Sequence, residues 1–167
     1  MQLHQLFPTA IATVQLALDP LDVAGQLQVL FGLRGDATGN PTEGCAWTGD
    51  LHGAWQLHQH PDFVGLTQQV ADQAWTYLEA VGFERSQVAL HLQRCWPVLS
   101  DWDQVVGRHH HPNAHLSAVL YLTGSGVGEE GCLRLQAPHR INELVPGLAV
   151  GHGGPCLLYT SPSPRDY

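Results

Sequence analysis

The sequence predicts an α+β domain in which helices come first and antiparallel strands follow, packed as a β-sandwich or distorted barrel. Three observations lead there. Residues 61–81 place apolar side chains at helical spacing. Residues 115–123, His115-Leu116-Ser117-Ala118-Val119-Leu120-Tyr121-Leu122-Thr123, are apolar on both alternating faces, the pattern of a strand buried inside a two-sheet core. Just before that run stands His109-His110-His111-Pro112-Asn113, a histidine cluster at the mouth of a predicted buried strand. A chain of 167 residues with 44% hydrophobic residues is long enough for one domain with a real core, and disorder is not expected.

Taken in order, residues 3–7 and 10–16 read as short strands broken by Pro8. Asp19 then caps a helix with Pro20 in its first turn, sending Leu21, Ala24, Leu27, Val29, Leu30 and Leu33 towards the core. Residues 35–53, rich in Gly, Thr, Asn and Pro, are expected to form a surface loop or lid carrying Trp47, with Trp55 just beyond it. The helix over 61–81 buries Phe63, Leu66, Val70, Ala74, Tyr77, Leu78 and Val81, and Gly82 ends it. Val88, Leu90 and Leu92 alternate with Ala89, His91 and Gln93, predicting a strand to about Trp96 that Pro97 stops. A loop over 100–108 feeds the histidine cluster. The long strand ends at Gly124-Ser125-Gly126, and a short strand over 132–136 is expected to pair with it as a hairpin.

Charge narrows the functional classes. Seven arginines and no lysine stand against fifteen acids, for a net charge of −8. Without lysine the chain has no Schiff-base nucleophile and no anchor for pyridoxal phosphate. A negative surface with scattered arginines argues against nucleic-acid and anionic-membrane partners, both of which need a basic patch. Cys45, Cys95, Cys132 and Cys156 are isolated, so no zinc knuckle or redox dithiol is readable and a reduced, cytoplasmic setting is expected. The N-terminus carries no basic leader or long apolar run and reads as neither signal peptide nor membrane span. Residues 156–166, Cys156-Leu157-Leu158-Tyr159-Thr160-Ser161-Pro162-Ser163-Pro164-Arg165-Asp166, follow one reading frame of a common transposase sequencing adapter. The expected organisation is therefore a partial domain over 1–155 and a non-native tail over 156–167, the natural frame being interrupted near Pro155.

The histidines are the candidate functional residues. Side chains on a strand alternate, so His109 and His111 can project together while His110 projects oppositely. Their Cα atoms would lie roughly 6.5–7 Å apart, close enough for both rings to reach one ion at about 2.0–2.1 Å. Two ligands do not make a stable site, so a third must come from elsewhere in the sequence. The competing structural explanation is a solvated turn holding His109 and His110, with His111 capping the strand. His115 is expected to pack or to support the ligands rather than to bind metal. Ser117 and Tyr121 share its strand face and can hydrogen-bond a small acid, or can be ordinary strand residues. His4, His52, His58, His60, His91, His139 and His152 read mostly as surface or packing residues.

Several segments together resemble a family of bacterial and phage 2-oxoglutarate/Fe(II)-dependent oxygenases. They are Leu6-Phe7-Pro8-Thr9, the helix with Tyr77-Leu78-Glu79-Ala80-Val81-Gly82, the Trp96 strand, and the block from His109-x-His111-Pro112-Asn113 through Leu116-Ser117-Ala118-Val119-Leu120-Tyr121-Leu122. Gly131-Cys132-Leu133-Arg134-Leu135 and the turn Ala137-Pro138-His139-Arg140 continue the likeness, which extends over nearly all residues up to Pro155. The resemblance implies a double-stranded β-helix, a jelly-roll or cupin-like barrel with flanking N-terminal helices, incomplete at its C-terminus. It also implies Fe(II), with 2-oxoglutarate as co-substrate and molecular oxygen as oxidant, in the hydroxylation of a small-molecule or peptidyl substrate. Carried over residue by residue, His109 and His111 are the proximal metal ligands, with Ser117 and Tyr121 near the 2-oxoglutarate. An imidazole at 111 stands where many related oxygenases place an aspartate. That leaves the ferrous site one charge more positive, which the dianionic acid would compensate. Asn113 or Asp103 are less favoured second ligands.

The distal histidine and the acid-binding arginine of such enzymes lie on later strands, after a phenylalanine-proline strand motif that does not occur downstream of His111. His152, in Gly151-His152-Gly153-Gly154, reads as a loop residue, and Arg165 belongs to the adapter-like tail. The third ligand is thus expected to be missing from this chain, which as written should be inactive. One rival reading is a cupin-like metalloprotein, which expects a glutamate shortly after the histidine pair where His115-Leu116 stands. Others are a non-catalytic metal-binding or interaction domain and a zinc hydrolase using His91 with His109 and His111. Primary substrate and oligomeric state are not readable.

Overall fold

The computed structural model describes residues 9–36, 40, 42–124, 133–136 and 158–160. They fall into two compact units, 1–119 and 120–167. In the first, α1 spans Pro20–Arg34 and α2 spans Pro61–Ala80. Each begins as its sequence dictates. Asp19 Oδ1 accepts the Leu21 N–H at 2.7 Å, His60 Nδ1 accepts the Asp62 N–H at 3.3 Å, and each cap is followed by proline at the first helical position. Helix α2 ends on Gly82 (φ 97), around which the Phe83 N–H reaches back to Leu78 O at 2.9 Å.

The inward face of α1 is narrower than its composition suggests. Only Gln26 and Leu30, one helical turn apart, are buried, whereas Leu21 is 82% exposed and Phe31 and Leu33 are also exposed. Gln26 Nε2 donates to Asp62 O at 2.9 Å, joining α1 to the first turn of α2. From α2, Phe63 and Leu66 enter the core, while Val70, Ala74, Tyr77 and Leu78 are half-buried and Val81 is exposed. Burying Phe63 contributes about 1.5–3 kcal/mol.

Within the expected surface loop or lid over 35–53, residues 46–49 are buried, whereas Leu51, His52 and Gly53 are exposed. Strand β1, Trp47–Thr48, pairs antiparallel with β2, Val98–Leu99, in the register Trp47↔Leu99 and Thr48↔Val98. Single parallel bridges, Cys45↔Val105 and Gln56↔Cys95, flank that pair. Trp47 is 1% exposed, beside fully buried Ala46, and stacks on His52 with centroids 5.4 Å apart. Asn40 clamps β1, accepting the Thr48 N–H at 3.0 Å and donating Nδ2–H to Thr48 Oγ1 at 3.1 Å. A 3₁₀ turn, Gly49–His52, packs so tightly against the 95–99 segment that the Gly49 N–H donates to Pro97 O at 2.9 Å. A second 3₁₀ turn, Leu57–Gln59, leads into α2. Pro97 therefore does not stop strand structure; pairing resumes one residue beyond it because the partner segment accepts it there.

In the second unit, β3 (Arg134–Gln136) pairs antiparallel with β4 (Leu158–Thr160). The expected hairpin between 132–136 and the 115–123 run is therefore replaced by a pairing with the tail, and Cys132 itself lies outside the described residues. The expected strands over 10–16 and 88–96 are not formed, and residues 3–7 also lie outside the described set.

The double-stranded β-helix is overturned. The described strands form two separate two-stranded ladders of two and three residues, and neither closes into a barrel. Residues 115–123 form no strand, and Val119 is 59% exposed. The reason is physical. Apolar alternation confers only a tendency, whereas a strand exists through hydrogen bonds to a neighbour. Among the described residues, no segment pairs with 115–123.

Candidate functional site: a paired-imidazole loop

The loop that carries His109 and His111 is tied to the core at its start. The Ala46 N–H donates to Val105 O and the Val105 N–H to Gly44 O, both at 2.9 Å. Upstream, Asp101 pairs with Arg34 at the end of α1 at 3.2 Å, and Asp103 adopts a left-handed φ of 62° in the turn that follows. Downstream, the Ala114 N–H donates to His111 O at 3.1 Å, closing a turn with Pro112 and Asn113 at its corners. Proline at the first corner presets the turn, as its sequence position suggests.

Between these anchors the two imidazoles lie together. Their ring centroids are 4.8 Å apart with planes at 81°. His109 Nδ1 lies 2.8 Å from Gly107 O. A carbonyl only accepts, so a hydrogen bond here requires the proton on Nδ1, and in the corresponding neutral tautomer the lone pair is on Nε2. This carbonyl–imidazole arrangement is the kind that orients histidine ligands. His111 meets the indole of Trp96 edge-on, at 5.5 Å and 60°. Trp96 is the neighbour that sequence reasoning did not single out for the site. Its place in the tryptophan-bearing segment before Pro97 was the available signal.

All three histidines of the cluster are exposed. His115, expected to pack, is exposed too, as are His91, Asp103, Asn113 and Ser117. Tyr121 is half-buried and belongs to the second unit, whereas Ser117 belongs to the first. His152 and Arg165 lie outside the described residues. Among the described residues, no group of three or more His, Cys, Asp or Glu side chains is placed to hold a metal ion. The structure thus supplies two imidazoles in mutual contact and no described third ligand.

Beside Trp96, burial pushes the Cys95 thiol above its ordinary pKa, with a hydrogen bond from the His58 backbone pulling the other way. Cys45 and Cys95 are both free and half-buried. A raised pKa keeps Cys95 a thiol at neutral pH, which suits a packing residue rather than a nucleophile. No helix among the described residues is long and apolar enough to cross a membrane.

Residues 94–155 match a family model described as "Putative 2OG-Fe(II) oxygenase". The match covers under half of the chain and includes Trp96, the paired imidazoles, Ser117 and Tyr121. It ends at Pro155, next to the adapter-like segment. No curated protein and no solved structure matches the chain.

Proposed function

We propose that residues 94–155 derive from a 2-oxoglutarate- and Fe(II)-dependent oxygenase, and that His109 and His111 are two of the ligands for its iron. The observation that carries this reading is a coincidence of position. The segment that matches the oxygenase model is the one in which two imidazoles come within 4.8 Å. The residues fit as part of such a site. Two imidazoles held about 90° apart on one ion at ~2.1 Å have ring centres on the order of 5 Å apart. His109 already spends its Nδ1–H on Gly107 O, which leaves Nε2 as the atom able to bind metal.

Fe(II) with 2-oxoglutarate would supply oxygen-dependent hydroxylation of a C–H bond. The chain's own groups orient the components: the Gly107 carbonyl fixes one imidazole, and the Pro112-Asn113 turn sets the direction in which the chain leaves the other. Ser117, in the same unit as the two imidazoles, carries a hydroxyl suited to a carboxylate of the co-substrate. The third iron ligand comes from outside the described residues. The exposure of both imidazoles supports a second reading, a non-catalytic metal-binding module.

Anaerobic Fe(II) titration of the product of the complete gene and of its His109→Ala and His111→Ala variants tests the ligand assignment. Oxygen-dependent formation of succinate from 2-oxoglutarate by the product of the complete gene tests the activity. Iron binding lost in both variants, with succinate formed, is the expected result. Binding without succinate favours the non-catalytic module, and binding unchanged by either substitution overturns the assignment.

A further inference from the structure

His111 is exposed, and its side chain is bounded by two rings, His109 at 4.8 Å and Trp96 at 5.5 Å. The two neighbours are not equally anchored. His109 shares the same loop. Trp96 sits in a stretch of backbone tied at three points: the Cys95 N–H donates to Trp55 O at 3.0 Å, the Leu57 N–H to Cys95 O at 2.9 Å, and the Gly49 N–H to Pro97 O at 2.9 Å. Pro97 is itself buried, and Trp96 is half-buried. An exposed histidine ordinarily samples several rotamers, and each must be given up when the ring binds an ion. The indole edge removes that freedom beforehand by occupying one side of the ring.

We propose that Trp96 is a positioning residue for His111, connecting the metal-binding loop to the buried Trp47 core. The proposal rests on the metal reading above and deepens it: segment 95–99 pairs with β1, which carries the buried Trp47, and the ligand is held by the ring that this segment displays. Trp96 touches no metal or substrate, so its effect is on the readiness of the ligand.

The test uses the product of the complete gene, which supplies the third ligand, with Co(II) alone as the probe, read by calorimetry and by visible d–d absorption. In metal-free protein, the His111 ring protons are expected to show an indole ring-current displacement that Trp96→Phe retains in part and Trp96→Leu loses. Co(II) affinity should fall roughly three- to tenfold in Trp96→Leu, the change expected from freeing one side chain. Trp96→Phe should restore most of it. Thermal unfolding of both variants guards against a folding defect, and the leucine keeps apolar volume at a half-buried position. Co(II) binding that needs His111 yet is equally tight in Trp96→Leu overturns the proposal and spares the metal reading. Co(II) binding indifferent to His111→Ala overturns both. A random-coil His111 spectrum in the wild type overturns the positioning contact by itself.

Discussion

Substituting Gly49 by alanine should be the most damaging single-methyl change in the first unit. A Cβ at this position would lie 2.6 Å from Pro97 Cδ, 2.7 Å from Ala54 O and 3.0 Å from Pro97 Cγ. Comfortable carbon contacts are about 3.5–4.0 Å, so the methyl overlaps a rigid ring and a backbone carbonyl by roughly 1 Å. Neither neighbour is the end of a flexible side chain, and relief requires the 95–99 segment to move off β1. Overpacking of this kind costs about 1–3 kcal/mol. Movement also strains two hydrogen bonds, Gly49 N–H to Pro97 O and Ala54 N–H to Gly49 O, each worth about 1 kcal/mol. The combined loss is roughly 2–4 kcal/mol. Urea unfolding followed by tryptophan fluorescence is a direct assay, because Trp47 is buried beside the site. With a slope of about 2 kcal/mol/M, the midpoint should fall by roughly 1–2 M. Two glycines serve as comparisons. Gly53 has φ 79 and open space, so Gly53→Ala should cost about 1–2 kcal/mol through backbone strain alone. Gly107 has neither constraint, and Gly107→Ala should change stability by less than about 1 kcal/mol. Gly49→Ala within about 0.5 kcal/mol of wild type, or Gly53→Ala more damaging than Gly49→Ala, refutes the packing argument.

Other expectations are as direct. Asn40→Ala removes both hydrogen bonds that clamp Thr48 and leaves a buried hydroxyl and N–H less well satisfied; a loss of about 1–3 kcal/mol should appear in the same urea assay. For Cys95, burial favours the protonated thiol in the folded state. Its contribution to stability is therefore full below the ordinary thiol pKa and is lost as pH rises through the raised value. Unfolding midpoints should decline over that alkaline range, and less so in Cys95→Ala. Alkylation of Cys95 at mildly alkaline pH should also be slower than that of free cysteine. Sequencing the natural locus across codon 155 should reveal a continuation different from residues 156–166, and an in-frame genomic copy of that tail would refute the adapter origin.

Some of this protein was legible in its residues because the information was local. Asp19-Pro20 starts the first helix and Pro61 the second, Gly82 ends the second, and the Pro112-Asn113 turn forms where its dipeptide predicts, whereas the His60 cap was not read from the sequence. Each depends on groups a few positions apart, which the sequence displays directly. His109 and His111 are likewise close in sequence, and their rings do come together.

Pairing was decided only in three dimensions. Residues 35–53 look like a loop because they are rich in Gly, Thr, Asn and Pro, yet they bury Trp47 since segment 95–105 supplies the complementary hydrogen bonds. Residues 115–123 look like a strand, yet among the described residues they have no ladder partner, and Val119 is left exposed. The same logic explains Leu21 and Leu33, apolar positions of α1 that no neighbouring surface covers. Helix caps and turns are satisfied within a few residues and so are written in the chain. Strand identity, burial and the ring beside His111 depend on which distant segment arrives to complete them.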